Sequence, residues 1–235
     1  MKRLDDAVDM LFDLPSVIDT LAQVTESDRC QVVLDKCRAV VGGHCGALAL
    51  KDDSGAWNVS ASSSVLVHQL QHSRVSRGLS AACRVESVGG PVAIDIDPLD
   101  GAFDGSVTEL FNHGYRFEYA FPLNGIDTLL GAVILLDGRD RPLADDDMRL
   151  VQVAADVMGR ALSCLREKDA FNRQVAQLSR ALESRIVIEQ AKGVIAARSG
   201  VDVGEAFLVL RRTARDARES VADVAARIVG GAAPV

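Results

Sequence analysis

The sequence predicts an α+β domain, an antiparallel sheet flanked by helices, joined by a long connector helix to an all-α bundle of three helices. Three observations carry this expectation. Two β-favouring runs, residues 117–123 and 129–136, face each other across the polar turn Asn124-Gly125-Ile126-Asp127. A seam of Val157, Ala161, Cys164, Phe171, Val175, Leu178 and Leu182 alternates spacings of three and four, with Lys168 its only polar interruption, which is a coiled-coil register. Residues 181–229 hold three short amphipathic segments, each bounded by capping residues.

Taken in order, the chain opens with a helical pattern to about Thr25, in which Leu4, Val8, Leu11 and Phe12 share one side and Pro15 resets the register. Ser27 or Asp28 begins a helix with Val33, Cys37, Val40 and Val41 at helical spacing, up to Gly42-Gly43. Residues 45–51 (CGALALK) read as a strand, and Asp52-Asp53-Ser54-Gly55 supplies a hairpin turn into a second strand at 57–60. Val65, Leu66, Leu70 and Val75 predict a helix, and residues 78–85 a second one. A strand at 91–94 and a helix at 107–111, closing at His113-Gly114, lead into the hairpin. Asp145, Asp146 and Asp147 favour the start of the long helix through capping and the helix dipole.

In the tail, Arg185, Glu189 and Lys192 stand at i, i+4 and i+7 on one side of a helix, beside an apolar stripe of Ile188, Ala191 and Ile195. That helix stops at Ser199-Gly200. Asp202 opens the next, with Glu205 in the capping-box relation, and Val203, Phe207, Leu210 and Ala214 are its expected buried stripe. Arg211, Arg215 and Arg218 run beside that stripe. Ser220 starts the third helix with Asp223 at its third position; Val221, Val224, Ala225 and Ile228 face inward, and Gly230-Gly231 ends it.

With 235 residues, 48% of them hydrophobic, the chain can build more than one core. The expected division is an α+β domain with its N-terminal helix at 1–165, a coiled-coil-like connector at 166–180 and a three-helix domain at 181–235. Every apolar run is interrupted by charge, and Asp5, Asp6, Asp9 and Asp13 break the N-terminal one, so neither a membrane span nor a secretory signal is expected and the protein is placed in the cytoplasm. Five cysteines without a CxxC pair argue against a disulfide framework or a zinc site, leaving Cys45 and Cys83 as redox candidates. His68 and His72 have metal-compatible spacing but no third ligand, and Asp95, Asp97 and Asp100-Gly101 depart from a calcium loop by one position, with Ser106 where Glu belongs. No catalytic triad, P-loop or dinucleotide fingerprint is present, so no enzyme, metal or cofactor is expected. The formal net charge of −7 is unevenly spread: residues 171–235 hold ten Lys/Arg and seven Asp/Glu, so only the tail suits a polyanion.

The tail resembles the ANTAR domain of bacterial transcription antiterminators. The elements that carry the likeness are Ala181-Leu182-Glu183-Ser184-Arg185, Ile188-Glu189-Gln190-Ala191-Lys192-Gly193, Glu205-Ala206-Phe207, Leu210-Arg211, Ala214 and Asp223-Val224-Ala225. Arg218 stands where the family usually has Asn, and Ser220 where a Lys is common. Residues from about 13 to 165 resemble a GAF sensory domain through the order of elements, Tyr119-Ala120-Phe121-Pro122-Leu123 and Leu130-Gly131-Ala132-Val133-Ile134-Leu135, although Gly78-Leu79-Ser80-Ala81-Ala82-Cys83 replaces a frequent G-P-C element.

This resemblance implies an RNA-binding antitermination regulator. A GAF input, answering a small molecule, a partner protein or a redox change, would control an ANTAR output that binds paired RNA hairpins and excludes a terminator. It implies a homodimer and the RNA-binding candidates Arg185, Lys192, Arg198, Arg211, Arg215 and Arg218, since Arg and Lys neutralise phosphates and Arg also engages splayed bases. The alternative is a ligand or redox sensor acting mainly through protein–protein contacts.

Overall fold

The apolar runs of the first half pair into one antiparallel sheet of β1 (Cys45–Lys51), β2 (Trp57–Ser62), β3 (Val92–Asp95), β4 (Phe117–Asn124) and β5 (Leu129–Asp137), in the order β2-β1-β5-β4-β3. The computed structural model describes residues 14–42, 44–97 and 105–231. Its chain divides into two compact units at Glu167/Lys168. The expected helical contacts of Leu4, Val8, Leu11 and Phe12 lie outside the described residues.

The β4/β5 hairpin forms as its sequence dictates, with Tyr119 opposite Leu135 and Phe121 opposite Val133. Its central strands are apolar at consecutive positions because helices cover both sheet faces. Leu48, Leu50, Tyr119, Phe121, Leu123, Val133 and Leu135 pack against α1 (Leu14–Ala22), α2 (Glu26–Val40) and the first part of α6 (Asp145–Ser199). The alternate residues Ala47, Ala49, Ala120, Ala132, Ile134 and Leu136 meet α3 (Val65–Ser76), a 3-10 turn at Ala81–Arg84, α4 (Val85–Val88) and α5 (Gly105–Asn112). The period-two alternation of a strand therefore builds two cores from one sheet.

Several boundaries differ from the sequence reading. Helix α2 begins at Glu26, because the Thr25 hydroxyl accepts from the Asp28 amide and caps it. Residues 78–85 form no single helix: Ser80 caps the 3-10 turn, which passes into the one-turn α4. The long helix is continuous over 55 residues. It supplies Val151, Ala154, Ala155, Met158, Ala161, Leu162 and Leu165 to the first unit.

A buried polar network joins α3 to β4. Arg74 donates to Glu118 Oε2 at 2.5 Å and to the Leu79 carbonyl at 3.0 Å. The Ser80 hydroxyl lies 2.7 Å from Glu118 Oε1 and 3.1 Å from Gln71 Oε1. All four residues are buried. The geometry satisfies both Glu118 oxygens, so the pair is tolerated inside an otherwise apolar layer.

In the second unit, the end of α6 packs with α7 (Val203–Ala217) and α8 (Val221–Val229) around Ala191, Ile195, Ala206, Leu210, Ala214, Val224, Ala225 and Ile228. The inward stripe of α7 differs from expectation: Val203 is 51% exposed and Ala206 is fully buried in its place. The inward face is centred on residues spaced by four, Ala206, Leu210 and Ala214, which leaves Phe207 at its edge. The expected Asp202 cap forms, accepting from the Gly204 and Glu205 amides, as does the Ser220 cap, accepting from Asp223.

Glu118→Ala leaves the Arg74 guanidinium buried without its carboxylate and is expected to cost about 3–5 kcal/mol in denaturant unfolding. The double change Arg74→Met with Glu118→Leu is expected to recover most of that loss.

Candidate nucleic-acid interface

Each of the six basic candidates belongs to the second unit, and the structure distributes them over α6, α7 and the turn after α7. Arg185, Lys192 and Arg198 project from α6, and Arg211 and Arg215 from α7. Arg218 does not continue α7. It caps it in the left-handed region at φ 56°, ψ 36°, where its amide donates to Arg215 and the next amide, that of Glu219, donates to Ala214. A left-handed position is where Asn is tolerated best among non-glycine residues, so the residue usual in the resemblance suits a helix cap there. Ser220 has an equally local task as the cap of α8.

Arg185, Arg198, Arg211, Arg215 and Arg218 are exposed. Among the described residues none of these five makes a side-chain ion pair. Of the two cations that share a helix side with Glu189, Lys192 takes it as an i,i+3 pair: Lys192 Nζ donates to both Glu189 oxygens at 2.8 and 2.9 Å. Lys192 also lies 5.6 Å from the centre of the Phe207 ring, and the Arg211 guanidinium carbon 6.0 Å from it. Lys192, Phe207 and Arg211 are thus brought together across α6 and α7. The sequence reading assigned Phe207 to the core; the pairing of its ring with cations from two helices is visible only after folding. Arg212 is likewise exposed and was not singled out.

A family model for the GAF domain matches residues 14–162, and one for the ANTAR domain matches residues 176–229, in that order. The chain belongs to the GAF–ANTAR family. It is a regulator in which a GAF sensory domain precedes an ANTAR output domain. No curated protein matches the chain. Among solved structures, the bacteriophytochrome RpBphP3 from R. palustris is 16% identical with a TM-score of 0.54, covering 89% of this chain and 46% of that one. The phycoerythrobilin-bound GAF domain of a cyanobacterial phytochrome is 16% identical, TM-score 0.48, covering 67% of this chain and 94% of that one. The second GAF domain of DevS from Mycobacterium smegmatis is 14% identical, TM-score 0.45, covering 61% and 96%. The first of these supports the fold alone.

Within the GAF domain, Asp95, Ile96, Asp97, Arg116, Phe117, Asp140 and Pro142 line an open cleft of about 340 Å³. Asp95 and Asp97 thus belong to a cleft; Asp100, Gly101 and their loop lie outside the described residues. His68 and His72 stack on each other at 6.0 Å. Among the described residues no group of three His, Cys, Asp or Glu side chains could hold a metal. All five cysteines are free. Burial pushes the Cys37 thiol up to about 12 and also raises Cys83, against a lowering backbone hydrogen bond at Ser80, so neither is an activated thiolate at neutral pH. No described helix is long and apolar enough to cross a membrane.

Two glycines of α6 carry opposite meanings. A Cβ on Gly159 would lie 2.2 Å from the Asn124 carbonyl oxygen, so glycine there permits close approach of helix to sheet. A Cβ on Gly193 would meet nothing within 4 Å. The chain's own packing therefore gives no reason for glycine inside this helix, where alanine is favoured by about 0.5–1 kcal/mol. Gly193→Ala is expected to raise stability by about that amount in chemical denaturation, whereas Gly159→Ala lowers it.

Proposed function

We propose that this protein is a cytoplasmic transcription antitermination regulator whose GAF domain controls RNA binding by its ANTAR domain, with the sensor at 1–165, the connector at 166–180 and the output at 181–235. The bound RNA is a pair of adjacent hairpins, and its capture prevents a terminator from forming. The observation that carries this reading is the set of five exposed arginines that make no side-chain ion pair among the described residues, on a domain that matches the ANTAR family model. Unpaired guanidiniums are free to exchange counterions for phosphates. Exposed structural ion pairs would have consumed them.

The functional unit is a homodimer. Phe171, Leu178 and Leu182 are 61–65% exposed, and Val175 and Ile186 join them at 44% and 48%. Spacings of four, three and four from Phe171 to Leu182 match a helix of the same period, and a second copy of this helix supplies one. About four turns of apolar side chain facing water, from Phe171 to Ile186, are not expected to persist alone; pairing buries them at roughly 25 cal/mol per Å². The 340 Å³ cleft supports a small-molecule input to the GAF domain. A ligand there would act by favouring one arrangement of the paired connector over another.

Arg185→Ala and Arg211→Ala are expected to weaken binding of a two-hairpin RNA in gel-shift titrations, each lowering the salt-dependence slope by about 1, with the thermal midpoint unchanged. Affinity no greater than for random RNA of equal length would reject the RNA reading and leave the tail to protein contacts. Leu178→Asp with Leu182→Asp is expected to reduce the sedimenting mass from twice 25.1 kDa to that of a single chain. A wild-type chain that sediments as a monomer at micromolar concentration contradicts the dimer.

A further inference from the structure

Phe207 is the only aromatic residue between Asn172 and the end of the sequence. It is partly buried at the edge of the ANTAR core, so part of its ring stays accessible. What it adds is a π system, and two cations from different helices stand within about 6 Å of the ring centre.

Their spacing distinguishes this cluster from a closed structural contact. In the GAF domain the Arg116 guanidinium rests 4.0 Å from the Phe111 ring centre, the separation of groups in direct contact, and Arg116 also donates to the Phe111 and Tyr115 carbonyls. Lys192 and Arg211 stand off Phe207 at 5.6 and 6.0 Å. That is near the outer limit of about 6 Å for a cation–π contact. Glu189 holds Lys192 by both oxygens, whereas Arg211 is exposed and has no ion pair among the described residues. Arg211 can therefore swing away from the ring without losing a carboxylate partner.

We propose that Phe207 is the stacking platform for one unpaired base of the bound RNA, with the exposed Arg211 beside it to take the adjacent phosphate while Lys192 stays paired with Glu189. The proposal rests on the RNA-binding reading above and adds the chemistry of a single subsite. Aromatic rings accept any base face, and an unpaired guanidinium beside the ring neutralises the backbone that carries the base. The cluster thereby discriminates a splayed loop nucleotide from continuous duplex, in which the base faces are already occupied.

The test uses the full chain and an RNA enriched on it from a pool of two-hairpin RNAs with randomised loops, with 2-aminopurine placed at each loop position in turn. The wild-type chain is expected to change the emission at one loop position. Phe207→Leu, which removes the ring but leaves an apolar side chain, is expected to abolish that change and lower affinity about tenfold. Phe207→Trp is expected to retain binding and to have its own emission quenched by the RNA. If the enriched RNA binds Phe207→Leu as tightly as wild type with the emission change intact, stacking is overturned while the RNA reading stands. Failure of the pool to enrich overturns both. Should Phe207→Leu fail to fold, the wild-type emission scan decides: no responsive loop position rejects the platform.

Discussion

The structure depends on one constraint: α6 helps build two hydrophobic cores. Val151, Ala155, Met158 and Leu162 are buried in the GAF core, and Ala191 and Ile195 in the ANTAR core, all on one unbroken helix. The side chains between the cores do not find burial in their own chain: Phe171, Leu178 and Leu182 remain exposed. A helix gains most of its stability from packing an apolar face rather than from intrinsic propensity. In the proposed dimer, that packing is supplied by the same segment of a second copy, and the pairing becomes the element a GAF signal biases.

Much of this was legible in the sequence because it is written in local patterns. The 117–123 and 129–136 runs specified the hairpin, and the Asp202 and Ser220 caps fixed the starts of two ANTAR helices to the residue. Periodicity located the long helix, but it could not say which part of the seam is covered: Ala161 is buried and Phe171 is exposed although they share the register. Coverage is a tertiary fact. The Arg74–Glu118 pair was illegible for the same reason, since its partners are 44 residues apart and Glu118 looks like the polar face of a strand. The α7 stripe was misplaced because Val203 is more hydrophobic than Ala206, yet the contact with α6 admits the smaller residue.

The candidate interface was half legible. Basic residues and their helical spacing are sequence properties, and their exposure follows. The role of Arg218 as a left-handed cap and the ring–cation cluster at Phe207 required the fold. The sequence suggests that Gly193 is small for close approach of another backbone; the open space beside it in this chain shifts the explanation to something that approaches from outside. It adjoins Lys192 in sequence, so the surface left open by the glycine begins where the basic residues do.

The central claim is that the ANTAR domain captures structured RNA. Sequencing of RNA crosslinked to the full chain in growing cells tests it most directly. The account predicts recovery of a limited set of transcripts, each carrying two adjacent hairpins of which one shares a strand with a terminator. Recovery of RNA indistinguishable in identity and folding from that crosslinked to a chain with Arg185, Lys192 and Arg211 changed to alanine would contradict it.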